Sequence, residues 1–225
     1  MNKQQSILIA SSVLSVAFWT LLSGNFGLVA AVFAGVLVHE FGHYWAARYV
    51  RLPVNLPVFT PLGAYVSMGR LPKDASEEAF VSIAGPLAGC VAGALFLAAS
   101  LLWQSPLLAQ AALYSFALNL FNLIPLGAMD GGRIVMAIDR RLWVVGIACM
   151  AALLYYSGGG LIACAFVSAT LFQACGDIRW RALLKDQSPE YFQIPLKIRA
   201  SCLVCFSALA AVLAFGLVFA GSYGA

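Results

Sequence analysis

Charged side chains are scarce in this chain, and their scarcity excludes a soluble globular protein. Of the 225 residues only 10% are Asp, Glu, Lys or Arg, whereas 62% are hydrophobic. A soluble domain carries about 25% charged residues and needs less apolar material. The composition therefore places the chain in a membrane, and the short polar stretches between its apolar segments leave no room for a sizeable domain outside the bilayer.

Histidine is rarer still, and cysteine is not arranged for disulfides. The two histidines limit an imidazole metal site to His39 and His43. The six cysteines fall almost entirely in apolar segments, which predicts small packing residues rather than a disulfide framework. Cys202 and Cys205 form a C-x-x-C pair near the start of the last apolar segment, and we interpret this pair as helix packing as well.

Apolar segments, in contrast, follow one another along the whole chain. A membrane-spanning helix needs about 20 mostly apolar residues. Seven candidates are residues 7–23, 27–48, 79–103, 107–123, 142–157, 160–176 and 200–220. The predicted fold class is an all-α polytopic membrane protein with about six to seven transmembrane helices, forming one membrane domain over residues 1–225.

The basic residues predict the orientation of this domain. With the N-terminus in the cytoplasm, all thirteen fall on the cytoplasmic side, as the positive-inside rule requires. They are Lys3, Arg48, Arg51, Arg70, Lys73, Arg133, Arg140, Arg141, Arg179, Arg181, Lys185, Lys197 and Arg199. We expect a multi-pass protein of the inner (cytoplasmic) membrane whose partner is the lipid bilayer and not nucleic acid. An alternative for residues 1–23 is a signal peptide, although no A-x-A-like cleavage site follows.

Residues 52–70 are apolar but unsuited to a helix. Pro53, Pro57 and Pro61 stand among β-branched and aromatic residues, which favours extended backbone. We predict an extended segment or a small β-hairpin that dips into the membrane where protein covers its backbone polar groups. The alternative is an apolar connector at the membrane surface.

The candidate chemistry lies in the sequence His39-Glu40-Phe41-Gly42-His43, within an apolar segment. The i, i+4 spacing puts both imidazoles on one helix face, where they can take adjacent positions on a tetrahedral Zn²⁺, with Glu40 beside them as a general base. An ionisable residue in mid-membrane costs about 2.5–3.5 kcal/mol, and a bound metal would offset this. The alternative is two histidines that are merely hydrogen-bonded within the helix bundle.

A catalytic zinc takes three protein ligands and leaves one position for water. Because no histidine remains, the third ligand should be acidic. The candidates are Asp74, Glu77, Glu78, Asp130, Asp139, Asp177, Asp186 and Glu190. We favour Asp130, because residues 122–132 break an apolar helix and because Asp130 and His43 lie at a similar depth below the predicted cytoplasmic surface. Glu77 and Glu78 are the second choice.

These residues resemble the paired signatures of the site-2 protease family, H-E-x-x-H and N-x-x-P-x-x-x-x-D-G. The second signature corresponds to Asn122 through Gly131. Ala84-Gly85-Pro86-Leu87 and Gly63-Ala64-Tyr65-Val66 also resemble features of that family. The resemblance covers roughly residues 27–140, the expected catalytic core, with additional helices over 142–220. The resemblance is to a compact form of the family, without the PDZ or CBS domains of other members.

The resemblance implies a site and an activity. His39, His43 and Asp130 would bind one Zn²⁺, Glu40 would be the catalytic base, and Asn122 would contact the substrate or the oxyanion. Because a substrate helix must unwind before cleavage, we further expect an edge strand containing Gly63, Ala64, Tyr65 and Val66 to bind it by β-augmentation. The alternative is that Tyr65 and Val66 only pack against helices. The expected activity is an intramembrane zinc metalloendopeptidase that cleaves transmembrane segments of other proteins. The alternatives are a metal-ion permease and a non-catalytic metal-binding membrane protein.

Overall fold

The structure is a computed structural model and describes residues 2–60, 63–127, 129–156, 158 and 189–223. Its α-helices are α1 Lys3–Ser23, α2 Phe26–Tyr49, α3 Ala75–Trp103, α4 Pro106–Asn122, α5 Asp130–Ile138, α6 Trp143–Tyr156 and α7 Leu196–Tyr223. Two short strands are β1 Val58–Thr60 and β2 Gly63–Tyr65, and 3-10 turns occupy Arg140–Leu142 and Pro189–Phe192. The fold is helical with a small antiparallel hairpin, as predicted.

Four of these helices, α1, α2, α3 and α7, are long and apolar enough to cross a bilayer. The predicted segments 107–123 and 142–157 form shorter helices, of 17 residues in α4 and 14 residues in α6. The predicted segment 160–176 lies outside the described residues. A total of six to seven crossings therefore stays a prediction.

The chain divides into two compact units. The first contains residues 1–71, 84–120 and 209–225, and the second contains residues 72–83 and 121–208.

In the first unit α1 and α2 form a helical hairpin. Gly24 ends α1 in the left-handed conformation, with φ of 69°, and the side chain of Asn25 caps α2 by accepting the N–H of Leu28 at 3.0 Å. At the other end, the Gln4 amide donates to the Asn55 side chain at 2.6 Å. The start of α1 and the end of α2 are therefore neighbours.

Small residues bring α2 close to α3 and α4 in this unit. Gly35 lies against Phe96 of α3 and Ser115 of α4, and Gly42 lies against the backbone of Ala84. Since the contacts advance along α2 as they retreat along α3, these two helices are antiparallel. Such close approach needs small residues, as is common where helices pack inside membranes.

The directions of these helices give the first unit two distinct ends. Its basic residues lie at the end where α1 begins and α2 stops, and they are Lys3, Arg48, Arg51 and Arg70. Arg70 belongs to this end because its neighbour Gly69 donates to the Pro53 carbonyl at 2.7 Å. The opposite end carries the turns at residues 24–25 and 104–105, which contain no basic residue. This distribution is the one that the positive-inside rule predicts.

The hairpin packs beside α1 and α2. Strand β1 pairs with β2 in the register Val58 with Tyr65, Phe59 with Ala64 and Thr60 with Gly63. The Phe59 N–H donates to Ser11 Oγ at 3.2 Å, and the Phe59 ring lies 4.7 Å from the ring of Phe33. These contacts hold the predicted extended segment against the helices.

The second unit is organised around α5. One core cluster joins Ala75 and Ala79 of α3 to Met136 and Ala137 of α5 and to Tyr191, Ile194 and Cys202. The Arg199 guanidinium donates to the carbonyls of Ile138, Phe192 and Ile194 at 3.0, 2.8 and 3.2 Å. One cation thereby satisfies carbonyls at the end of α5 and in the turn before α7.

The cysteines of the described residues carry free thiols. Cys90 and Cys202 are buried, whereas Cys149 and Cys205 are exposed. Cys164 and Cys175 lie outside the described residues.

Candidate metal centre

The two histidines face the same side of α2, as their spacing predicts. Both are buried within the apolar helix, with 6% of His39 and 9% of His43 exposed. Their Nε2 atoms are 3.1 Å apart, and their rings meet nearly edge to face, with centroids separated by 4.7 Å. Two imidazole nitrogens in an apolar helix therefore converge on one point.

This separation fits a shared metal ion. Two nitrogens bound to one tetrahedral Zn²⁺ at about 2.0–2.1 Å lie about 3.3 Å apart. The observed 3.1 Å is close to that value. The donor set also suits zinc, which binds histidine nitrogen and carboxylate oxygen readily.

The other ring nitrogen of His39 has a buried partner in α4. His39 Nδ1 lies 2.7 Å from Asn119 Oδ1, and Asn119 Nδ2 donates to the Ser115 carbonyl, also at 2.7 Å. Asn119 was not predicted from the sequence. The available signal was a polar amide amid the apolar residues of α4, since such a group needs a hydrogen-bond partner inside a membrane.

Two glycines of α3 give these side chains their space. A Cβ at Gly85 would overlap the His43 ring, and a Cβ at Gly89 would overlap the Asn119 amide. The Ser115 hydroxyl donates to the Gly89 carbonyl at 3.1 Å, which joins α4 to α3 at this level. Gly85 is part of the Ala84-Gly85-Pro86-Leu87 sequence, and its lack of a side chain leaves room for the ring of His43.

Glu40 follows His39 directly on α2 and is also buried, with 7% of its surface exposed. A carboxyl group in this position is shielded from bulk water, and its neighbours on the helix are the two imidazoles. Glu40 is thus a buried carboxyl group on the same helix as the two histidines, one residue after His39.

Asp130, in the second unit, is the first residue of α5. It is buried, with 7% of its surface exposed. Residues 123–127 turn before it, with Gly127 at φ 52°. Gly131 allows the following turn, because a Cβ there would overlap the Leu123 carbonyl. A carboxylate is favoured in the first turn of a helix by the free N–H groups.

The other acidic candidates have structural partners. Asp74 caps α3 by accepting the N–H of Glu77 at 2.8 Å and the hydroxyl of Ser76 at 2.6 Å. Burial alone would raise the pKa of Asp74, but these hydrogen bonds and the charge of Lys73 hold its pKa below the usual value. Asp74 therefore acts as a helix cap.

Glu77, Glu78 and Asp139 are engaged in a similar way. Glu77 accepts the Lys73 N–H at 2.6 Å, and Glu78 accepts the Tyr191 hydroxyl at 2.6 Å. Asp139 accepts the N–H of Arg141 at 2.9 Å. Glu190 is exposed, and Asp177 and Asp186 lie outside the described residues.

The remaining predicted site residues lie on α4 and on the hairpin. Asn122 is the last residue of α4 and is half-buried. On β2, Gly63 and Tyr65 are exposed and Ala64 is half-buried, as is the next residue, Val66. The sheet of the described residues has two strands, so β2 has no third strand along its outer edge.

Comparisons with known proteins place the chain in a family. The model of peptidase family M50 matches residues 27–108 and 102–144, which together exceed half of the chain. A zinc metalloprotease of Methanocaldococcus jannaschii is 33% identical over 126 residues, covering 54% of this chain and 35% of that protein. A probable chloroplastic zinc metalloprotease of Arabidopsis thaliana is 28% identical over 156 residues, covering 48% of this chain and 28% of that protein.

The apolar helices and the buried histidine pair define an integral membrane protein with a candidate metal centre. The chain belongs to peptidase family M50, the site-2 protease family. It spans about a third of the length of the curated relatives it matches. The matched residues include the histidine pair, the hairpin, Asn122 and Asp130, so the family resemblance predicted from the sequence is confirmed.

Proposed function

We propose that this chain is a zinc metalloendopeptidase that hydrolyses peptide bonds within transmembrane segments of other proteins. The observation that carries the proposal is the pair of buried Nε2 atoms, 3.1 Å apart, beside Glu40 in an apolar helix. Membership of a peptidase family and the similarity to zinc metalloproteases support it.

His39, His43 and Asp130 would hold the zinc ion. Bound zinc supplies two kinds of chemistry, since it polarises a substrate carbonyl and lowers the pKa of a coordinated water. The total charge supports this assignment, because Zn²⁺ with ionised Asp130 and Glu40 sums to zero, which a site of low dielectric constant favours.

Glu40 is the proton carrier in this proposal. Its carboxylate accepts a proton from the attacking water and then gives that proton to the nitrogen of the leaving amine, so the group returns to its starting state. Burial helps this role, because few waters compete for the carboxylate. Asn122 would donate an amide N–H to the substrate carbonyl oxygen as negative charge develops there.

The hairpin would bind the substrate. A transmembrane helix hides its carbonyls in hydrogen bonds between residues i and i−4, so it must unwind locally before hydrolysis. The unwound backbone then needs partners inside the membrane. The outer edge of β2, which carries Gly63, Ala64 and Tyr65, offers them by β-augmentation.

The orientation belongs to the same proposal. We place the N-terminus and the basic end of the first unit in the cytoplasm, in the inner (cytoplasmic) membrane. His43 lies five residues before Arg48, so the site would be near the cytoplasmic face, within reach of water from that side.

Replacement of Glu40 tests the activity. The Glu40→Gln variant should bind zinc as the wild type does, because Glu40 is not a ligand, but should lose about 10²- to 10⁴-fold in cleavage rate. Both are measured on purified protein, by metal analysis and by cleavage of a model transmembrane peptide in liposomes. Glu190→Gln makes the same chemical change at an exposed position and should cleave normally.

Two results would refute the proposal. One is full cleavage by Glu40→Gln, and the other is wild-type protein that holds zinc without cleaving any of several transmembrane peptides. Zinc transport by the wild-type protein in the same liposomes, without cleavage, would favour a permease instead.

A further inference from the structure

Asn119 is a buried polar residue to which the proposed mechanism gives no role. Only 3% of its surface is exposed, in a helix whose neighbouring residues are mostly apolar. An unpaired amide in such surroundings costs several kcal/mol, so its hydrogen bonds determine whether it is tolerated. A leucine of similar size could fill this position without that cost.

The contacts of Asn119 fix the orientation of its amide. The Ser115 carbonyl can only accept a hydrogen bond, so the group 2.7 Å from it must be the Asn119 NH₂. The amide oxygen then faces His39 Nδ1, also at 2.7 Å. The opposite orientation would bring two oxygens together at Ser115.

This orientation fixes the proton of His39. Because the Asn119 oxygen can only accept, Nδ1 of His39 must donate, and a neutral imidazole then carries its lone pair on Nε2. That lone pair is on the atom that lies 3.1 Å from Nε2 of His43. A ligating histidine in proteins commonly donates its other N–H in this way, which orients the ring and makes the ligating nitrogen more basic.

We propose that Asn119 is a positioning residue that holds His39 as the Nδ1-protonated tautomer, with Nε2 directed at the metal. The proposal rests on the zinc site of the proposed function. Gly89 is part of the arrangement, since a side chain there would displace the amide.

Three variants test this role, and all are purified at full length. Asn119→Leu keeps the size of the side chain but removes the acceptor, and should weaken zinc binding about 10- to 100-fold. Asn119→Asp keeps an oxygen acceptor towards His39 but loses the N–H that bonds the Ser115 carbonyl, and should bind zinc more tightly than Asn119→Leu does. Ser115→Ala, on the same helix as Asn119, removes the buried hydrogen bond to the Gly89 carbonyl without changing any contact of His39. It should leave zinc affinity unchanged.

Zinc affinity is measured by competition with a chelating dye, and ligand geometry by the absorption spectrum of the Co²⁺-loaded protein. We expect an altered spectrum for Asn119→Leu and a wild-type spectrum for Ser115→Ala. The tautomer is measured without substitution, by ¹⁵N NMR of labelled histidine in metal-free wild-type protein. With two histidines in the chain, two ring systems need to be assigned.

The outcomes separate this inference from the proposed function. A His39 proton on Nε2, or wild-type zinc affinity and Co²⁺ spectrum in Asn119→Leu, overturns the role of Asn119 and leaves the protease proposal intact. Equal losses in Asn119→Leu and Ser115→Ala would mean that packing alone is responsible, and also overturn it. Failure of the wild-type protein to bind zinc would overturn both proposals.

Discussion

At the scale of single residues, the His43 ring has its space because residue 85 is a glycine and carries no Cβ. A Cβ on Gly85 would occupy the volume of the imidazole ring, so the ring must move or α3 must shift. Movement of the ring would separate the two Nε2 atoms, and a shift of α3 would disturb its close contact with Gly42. The glycine is therefore needed for close approach and not for an unusual backbone angle.

Gly85→Ala should accordingly lose most of its zinc binding, because overpacking at such a position costs about 1–3 kcal/mol. Metal content and dissociation constant of the purified variant are the measurements. Gly221→Ala is the matched control, since its Cβ would meet only a Leu113 methyl at 3.6 Å and should fit. Equal zinc affinity in both variants would show that the His43 ring tolerates the added methyl.

At the scale of elements, the hairpin is the part whose proposed role is most open to test. Its strands are three residues long, and contacts of β1 with α1 and α2 hold it in place. Among the described residues no third strand pairs with the outer edge of β2. The sequence predicts extended backbone here because three prolines prevent a helix. The register between the strands could not be read from the sequence, since it depends on the turn and on the packing of Phe59.

A proline in β2 should impair cleavage without affecting the metal. Tyr65→Pro removes one backbone N–H from the strand, and Ala64→Pro removes its neighbour, which faces the other edge because successive N–H groups alternate. We expect at least one of the two to reduce cleavage of a transmembrane peptide more than about tenfold, at normal zinc content. Tyr65→Val, which keeps the N–H, is the control. Normal turnover in both proline variants would exclude β-augmentation at this edge.

At the scale of the whole molecule, charge and helix direction predict the same orientation. The first unit has its basic residues at one end and turns without basic residues at the other. The cost of moving charged loops across the membrane selects this arrangement during insertion. Helix length identifies four membrane crossings. It does not identify α4 and α6 as crossings, because they are shorter than a full bilayer span.

Single cysteines test the orientation in a variant that lacks the six native cysteines. A membrane-impermeant thiol reagent should label Gln104→Cys from outside intact cells, and should label Asn55→Cys only in inverted vesicles. These positions lie at opposite ends of the first unit. The reverse labelling pattern would place the basic end outside and contradict the proposed cytoplasmic access to the site.

The sequence alone determined the features that depend on short stretches of chain. Composition is sufficient to predict a membrane protein, because burial of apolar surface follows from residue type. The i, i+4 spacing is sufficient to align His39 with His43 on one helix face. The break before Asp130 and the extended segment were predictable for the same local reason, since proline and glycine act on the backbone where they stand.

The tertiary structure decided which side chains support the histidines. Asn119 is 80 residues from His39, and the glycines that seat the Asn119 amide and the His43 ring belong to a third helix. Such contacts depend on how helices pack, and the energy of packing is set by the shapes of all the surfaces that meet. The alignment of His39 with His43 could thus be predicted from local spacing, whereas the residues that support them could be identified only once the helices were in place.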